Sequence, residues 1–236
     1  MANLGILISG RGSNMQAIVA AVTAGRLHAR VALVLSNRPS AGGLEWARNA
    51  GIETAVLPHR DYPSREAYDL AVVRELRGRD VDLVCLAGFM RLLSPAFVAA
   101  YPNAILNIHP SLLPAFPGVE AQRQALEHGV RVSGATVHFV TAELDAGPII
   151  RQAAVPVQGD DTVEALSVRI LEQEHRIYPE AIAEVIAGGW SVDGRRFVPA
   201  KPAAAGSVIG RPEAARPPRH RPCARQRKSS AKIDSL

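Results

Sequence analysis

Two cysteines in 236 residues are too few for a disulfide framework, and their placing matches no metal-ligand spacing: Cys85 lies inside an apolar run and Cys223 in a polar tail. A reducing, cytoplasmic setting fits that scarcity best. No stretch reaches 18 uninterrupted apolar residues, so no transmembrane helix is expected. The first residues, Met1 to Ile8, carry no basic flank and too short an apolar run for a signal peptide. A dinucleotide fingerprint is missing too. After Gly10 and Gly12 the sixth position is Met15, where Gly or Ala is needed, and the second strand ends in Asn37 instead of an acidic residue. There is no Gly-Lys-Ser/Thr of a Walker loop, no His-Glu-x-x-His and no Gly-x-Ser-x-Gly. Neither a nicotinamide nor a metal is expected.

Positive charge is scarce where it would matter. The net charge of +5 divides unevenly: residues 201–236 hold nine Lys/Arg against Glu213 and Asp234, or +7, leaving eighteen basic against twenty acidic residues, or −2. The first 200 residues are therefore no basic, nucleic-acid-binding body. Neither nucleic acid nor membrane is expected as a partner, and the chain is expected to act as a monomer or homodimer. Binding of RNA or DNA through the tail is the rival from another class. It would show as a salt-dependent shift lost on truncation at residue 200.

What is present is a β-α alternation with 47% hydrophobic residues, enough for a real core. Leu4–Ile8, Val31–Leu35, Thr54–Leu57, Val81–Ala87 and a run from Ala104 to His109 read as strands. Between them Met15–Thr23, Gly43–Ala50, Ser64–Arg77 and Ser94–Ala100 read as helices, the third offering Ala67, Leu70, Ala71, Val73 and Leu76 to an inner face. Gln122–Glu127 is a further helix. Then Ala135–Val140 and Ile149–Val155 follow with a connection too short for a crossover, which predicts an antiparallel pair. Asp161-Thr162-Val163-Glu164 opens a long helix to about Ile186, interrupted at Tyr178-Pro179, and Trp190–Val198 suits a small hairpin. The expected fold is α/β: a Rossmann-like, mostly parallel sheet with helices on both faces and antiparallel strands added by the C-terminal part. One domain is expected over residues 1–200, and the Pro/Ala/Arg-rich residues 201–236 are expected to be disordered.

The stretch around which the chain is arranged is Asn107-Ile108-His109-Pro110-Ser111-Leu112-Leu113-Pro114. An amide and an imidazole two residues apart leave a strand end on one side, and the prolines stiffen the exit. Packing of a lone His in a strand-to-loop bend is the plainer reading. Gly10-Arg11-Gly12-Ser13-Asn14, between a strand and a helix, suits either a single-phosphate cradle or a glycine turn with a serine cap. Glu143-Leu144-Asp145-Ala146-Gly147-Pro148 places Asp145 either as a turn residue or as a partner that orients the His109 ring. Gln173-Glu174-His175 is read as a solvated helix face, and His138 can face either side of its strand. Met90-Arg91-Leu92-Leu93 forms either a core edge or the wall of a pocket for a flat ligand.

Together, Ser9–Asn14, Leu86-Ala87-Gly88-Phe89-Met90-Arg91, Asn107–Pro114, Val137-His138-Phe139-Val140 and Leu144–Pro148 recur in this order in phosphoribosylglycinamide formyltransferases, and the chain resembles that family over roughly residues 3–198. The resemblance implies catalysis by Asn107, His109 and Asp145. It implies ribonucleotide binding by Gly12, Ser13, Asn14, Leu171, Glu172, Gln173 and Glu174. Folate contacts would come from Arg65, Met90, Arg91, Leu92, Leu93, Asn107, Thr141, Ala142, Glu143, Leu144 and Asp145. The implied reaction moves the formyl group of 10-formyltetrahydrofolate, a co-substrate, to the amine of glycinamide ribonucleotide in purine synthesis. Relatives often show histidines where this chain has Glu120 and Gln122, and the tail has no counterpart. A methionyl-tRNA formyltransferase would carry a folded basic C-terminal domain, and a formyltetrahydrofolate hydrolase an N-terminal regulatory domain; neither is expected here.

Overall fold

A computed structural model describes residues 1–199, so the tail expected to be disordered lies outside the described residues. Among the described residues nine strands form one sheet: β1 (Ala2–Ile8), β2 (Ala29–Ser36), β3 (Thr54–Val56), β4 (Leu83–Leu86), β5 (Ile105–His109), β6 (Val132–Phe139), β7 (Ile149–Pro156), β8 (Ser191–Asp193) and β9 (Arg196–Val198), in the order β3-β2-β1-β4-β5-β6-β7-β9-β8. The pairs from β3 to β5 are parallel, whereas β6 runs antiparallel to β5 and β7 antiparallel to β6. The helices are α1 (Ser13–Thr23), α2 (Gly42–Asn49), α3 (Arg65–Arg77), α4 (Pro95–Ala100), α5 (Ala121–Glu127) and α6 (Val163–Ala187). Among the described residues no helix is long and apolar enough to cross a membrane.

Because strand side chains alternate, each face of the sheet has its own core. Leu4, Ile6, Cys85, Leu106 and Ile108 pack in one cluster with Met15 and Ile18 of α1 and with Ile170, Ile177 and Ile182 of α6. Leu7, Leu35, Val84, Leu86 and Ile105 pack in the other with Tyr68, Val72 and Leu76 of α3 and Phe97 of α4. The second series continues along β5 from Ile105 into Asn107 and His109, so apolar gives way to polar on one face of one strand. The strand order reverses between β1 and β4, and a crevice at the carboxyl ends of strands forms at such a point.

Three expectations change. Helix α6 is continuous through Pro179. The helix around that proline is clamped by burial of Tyr178, Pro179 and Ile182, and the Tyr178 hydroxyl lies 3.0 Å from the carbonyl oxygens of both Leu86 and Leu106. Leu70 is exposed on α3, and the inner face instead carries Tyr68, Asp69 and Val72, an i, i+4 stripe with its neighbour. Ser13 does not cap α1: Gly12 holds that position with φ 74°, and no side chain bonds the free amides.

Candidate active site

The crevice is tied together at Ser9. Its hydroxyl donates to Asn37 Oδ1 at 2.6 Å and accepts the Met90 N–H at 2.9 Å, while the Ser9 N–H donates to Gly88 O at 3.1 Å. The loops after β1, β2 and β4 are thereby held at one point. Another residue at Gly12 would be strained: its φ is left-handed, and a side chain there would meet Met15 Cε at 3.1 Å and Gly43 Cα at 3.3 Å. One residue into α1, the Asn14 amide donates to Glu174 Oε2 at 2.7 Å. Glu174 lies one turn before Tyr178 on α6 and is buried, so the solvated face expected there is not found. Burial pushes its carboxyl above the ordinary value, with the Asn14 bond opposing. Of the four residues expected beside the ribonucleotide on α6, Glu174 hydrogen-bonds to α1. Glu172 is exposed, Leu171 half-buried, and Gln173 accepts from the Arg176 guanidinium at 2.9 Å.

The second group forms where β5 turns antiparallel to β6. In that register Asn107 stands opposite His138, and His109 opposite Thr136. Directly opposed residues share a face, which settles the orientation of His138. Its Nδ1 lies 2.9 Å from Phe139 O, so Nδ1 carries the proton and Nε2 is free to accept from the Asn107 amide at 3.2 Å. Burial holds the His138 ring below the ordinary imidazole range. Thr136 anchors the following loop by donating to Ser111 O at 2.6 Å and accepting from the Leu113 N–H at 3.1 Å.

Asp145 does reach His109. Its Oδ2 lies 3.5 Å from His109 Nδ1 and accepts the Gly118 N–H at 2.8 Å, and its Oδ1 lies 3.7 Å from His138 Nε2. The other His109 nitrogen, Nε2, lies 2.8 Å from Phe116 O. Oxygens therefore face both ring nitrogens of His109. Both Asp145 (φ 49°) and Phe116 (φ 54°) sit in the left-handed region, which non-glycine residues seldom occupy and functional loops often do. Gly147 lets this loop close, since a Cβ there would lie 1.8 Å from Phe139 O.

In the loops after β4 and β6, Met90, Leu92 and Leu144 are exposed apolar side chains at 64%, 56% and 53%. Leu93 is buried, Arg91 stacks on Tyr68, and Arg65 is half exposed beside Glu66 at 3.7 Å. Thr141 is half-buried and donates to Glu143 O at 3.3 Å, with Ala142 and Glu143 exposed. Glu120 is exposed and lies 3.6 Å from Arg123. Sequence reasoning gave no site role to Ser9, Asn37 or the Phe116 carbonyl, and left His138 undecided; only the β5–β6 register would have found the last.

A model of the formyl transferase family matches residues 2–182. The chain belongs to the formyl transferase family. This formyl transferase is 50% identical to the phosphoribosylglycinamide formyltransferase of Escherichia coli (strain K12) over 193 residues, which covers 82% of this chain and 88% of that one. It is also 50% identical over 185 residues to the trifunctional purine biosynthetic protein adenosine-3 of Drosophila melanogaster, covering 78% of this chain but only 14% of that longer protein. Among solved structures, glycinamide ribonucleotide transformylase 1 from Symbiobacterium toebii superposes with a TM-score of 0.84 at 57% identity, covering 85% of this chain and 95% of that one.

Proposed function

We propose that this chain transfers the formyl group of 10-formyltetrahydrofolate to the amine of 5'-phosphoribosylglycinamide, giving formylglycinamide ribonucleotide and tetrahydrofolate in purine synthesis. The observation that carries this reading is the meeting of Asn107, His109 and Asp145 in one cluster, in a chain half identical to the bacterial formyltransferase over 82% of its length.

The amine attacks the formyl carbon and the carbonyl oxygen becomes an oxyanion. One N–H of the Asn107 amide faces His138, and the second donates to that oxygen beside the protonated His109 ring, whose charge Asp145 offsets and whose plane it fixes. The nitrogen then loses a proton, the carbon–nitrogen bond to the folate breaks, and the folate nitrogen takes a proton back. A transfer between two substrates balances in atoms and electrons and calls on neither a metal nor a nicotinamide.

Gly12, Ser13 and Asn14 hold the ribonucleotide phosphate against the free amides of α1, and Glu174 lies toward the glycinamide amine. Met90, Leu92 and Leu144, with Arg65, Arg91, Leu93 and residues 141–143, form the folate side. The domain is residues 1–200, it acts in the cytoplasm as a monomer or homodimer, and it needs no nucleic acid. Turnover with both substrates, followed by folate absorbance, tests the reading. Formation of formylglycinamide ribonucleotide is expected; release of formate without it would replace transfer by hydrolysis.

A further inference from the structure

The loop Met90–Ser94 leaves β4 level with Asn107, since Leu86 pairs with Asn107 in the ladder. Side chains from elsewhere hold both its ends. The Met90 N–H donates to Ser9 Oγ at 2.9 Å, and the Ser94 N–H donates to Asp69 Oδ2 at 2.5 Å. Ser94 in turn caps α4 by accepting the Phe97 N–H at 3.3 Å. Between the ends, the Arg91 guanidinium sits 4.8 Å from the centre of the Tyr68 ring, and Tyr68 adjoins Asp69 on α3.

Asp69 is 1% exposed, among the apolar Val72, Val73 and Leu76 of its own helix. Burial pushes its carboxyl up, and the Ser94 bonds and the Arg91 charge pull it back only in part. Its second oxygen, Oδ1, is buried without a hydrogen-bond partner among the described residues. Packing alone favours an apolar side chain at such a place. What the carboxylate adds is one short charge-assisted bond to one amide, and that amide marks where the donor-side loop ends.

We propose that Asp69 is a positioning residue for the formyl donor. By accepting the Ser94 N–H it fixes the path of residues 90–94, which keeps Met90 and Leu92 turned outward as an apolar wall, and so it sets donor affinity without touching the donor. This rests on the reading of Met90–Leu93 as the folate side.

The test is steady-state kinetics on the full chain, varying each substrate separately, with Asp69→Ala and Asp69→Asn. Asparagine keeps an acceptor oxygen for Ser94; alanine does not. Asp69→Ala is expected to raise the KM for 10-formyltetrahydrofolate about tenfold while kcat and the KM for glycinamide ribonucleotide stay within about twofold, and Asp69→Asn is expected to recover most of that loss. An unchanged donor KM in folded Asp69→Ala, or an equal rise in both KM values, overturns the proposal. Should Asp69→Ala not fold, amide exchange in the unaltered chain decides. The Ser94 N–H is expected to exchange about a hundredfold more slowly than the Leu92 N–H, and equal rates overturn the tether. If the unaltered chain transfers no formyl group, the functional reading fails by itself. The dissociation constant for tetrahydrofolate then replaces KM, and equal values in the unaltered chain and the alanine variant overturn the positioning role.

Discussion

On the parallel side of β5, the groups that loops carry to the crevice are backbone amides, glycines and neutral side chains, and these loops leave their strands in one direction. Ser9, Gly12, Asn37 and the Met90 N–H belong to this side. On the antiparallel side, Asn107 and His138 face each other across a ladder, with His109 and Asp145 beside them. Two neighbouring parallel strands offer a row of loop ends, good for shape; two antiparallel strands place chosen side chains in direct opposition, good for proton chemistry. The carboxylates of the two groups follow the same division. Glu174 has one neutral partner, the Asn14 amide, whereas Asp145 has two rings and a backbone N–H.

If that division is right, the largest losses come from the antiparallel side. His109→Ala is expected to lower kcat about a thousandfold and Asp145→Asn about a hundredfold, with melting temperature little changed. Turnover near the original level in either would break the comparison. Next comes Gly147→Ala, whose added Cβ must push Phe139 O out of the ladder. Urea unfolding should show a loss of about 3 kcal/mol. Gly134→Ala, with a Cβ 2.0 Å from Ala153 O, is the comparison of equal clash away from Asp145, and its surviving folded fraction should keep the higher activity.

On the parallel side, Glu174→Gln is expected to raise the ribonucleotide KM about tenfold and the melting temperature by about 2–4 °C. The sign follows from its raised carboxyl. The folded state holds the proton longer, so stability is lost as pH rises from 4.5 through the folded value, and above that value the full cost is present. The amide removes it. The smallest effect is the acid arm of His138. Its folded value lies below 6.5, so on acidification the unfolded ring takes up protons first; stability falls as pH drops below 6.5 and levels off beneath the folded value. Unfolding measured between about pH 7 and pH 5 should show a flatter arm in His138→Gln than in the original chain.

Much of this was legible beforehand. The period-two and period-3.6 runs gave the parallel strands and their helices, and the short connection from Thr141 to Pro148 gave the antiparallel pair. What escaped detection depends on tertiary partners. Pro179 reads as a break until Tyr178 is seen anchored on Leu86 and Leu106. Glu174 reads as solvated until Asn14 covers it. His109 on sequence alone has no second partner, because the Phe116 carbonyl reaches it only through a left-handed backbone turn. Leu70 fits an apolar stripe by spacing, yet Tyr68 and Val72 take the inner face.

The opposition of Asn107 and His138 bears on which changes of chain length the fold can absorb. An extra residue at His128–Gly129, or around Gln158–Asp160, lengthens an exposed connection and leaves every strand pairing in place. An extra residue inside β6 turns its side chains over: Val137 or Phe139 would then face Asn107, and His138 would be driven among the apolar residues beneath. Insertions and deletions in functional members of this lineage should therefore spare Val132–Phe139, and length variation should collect in the connections on either side.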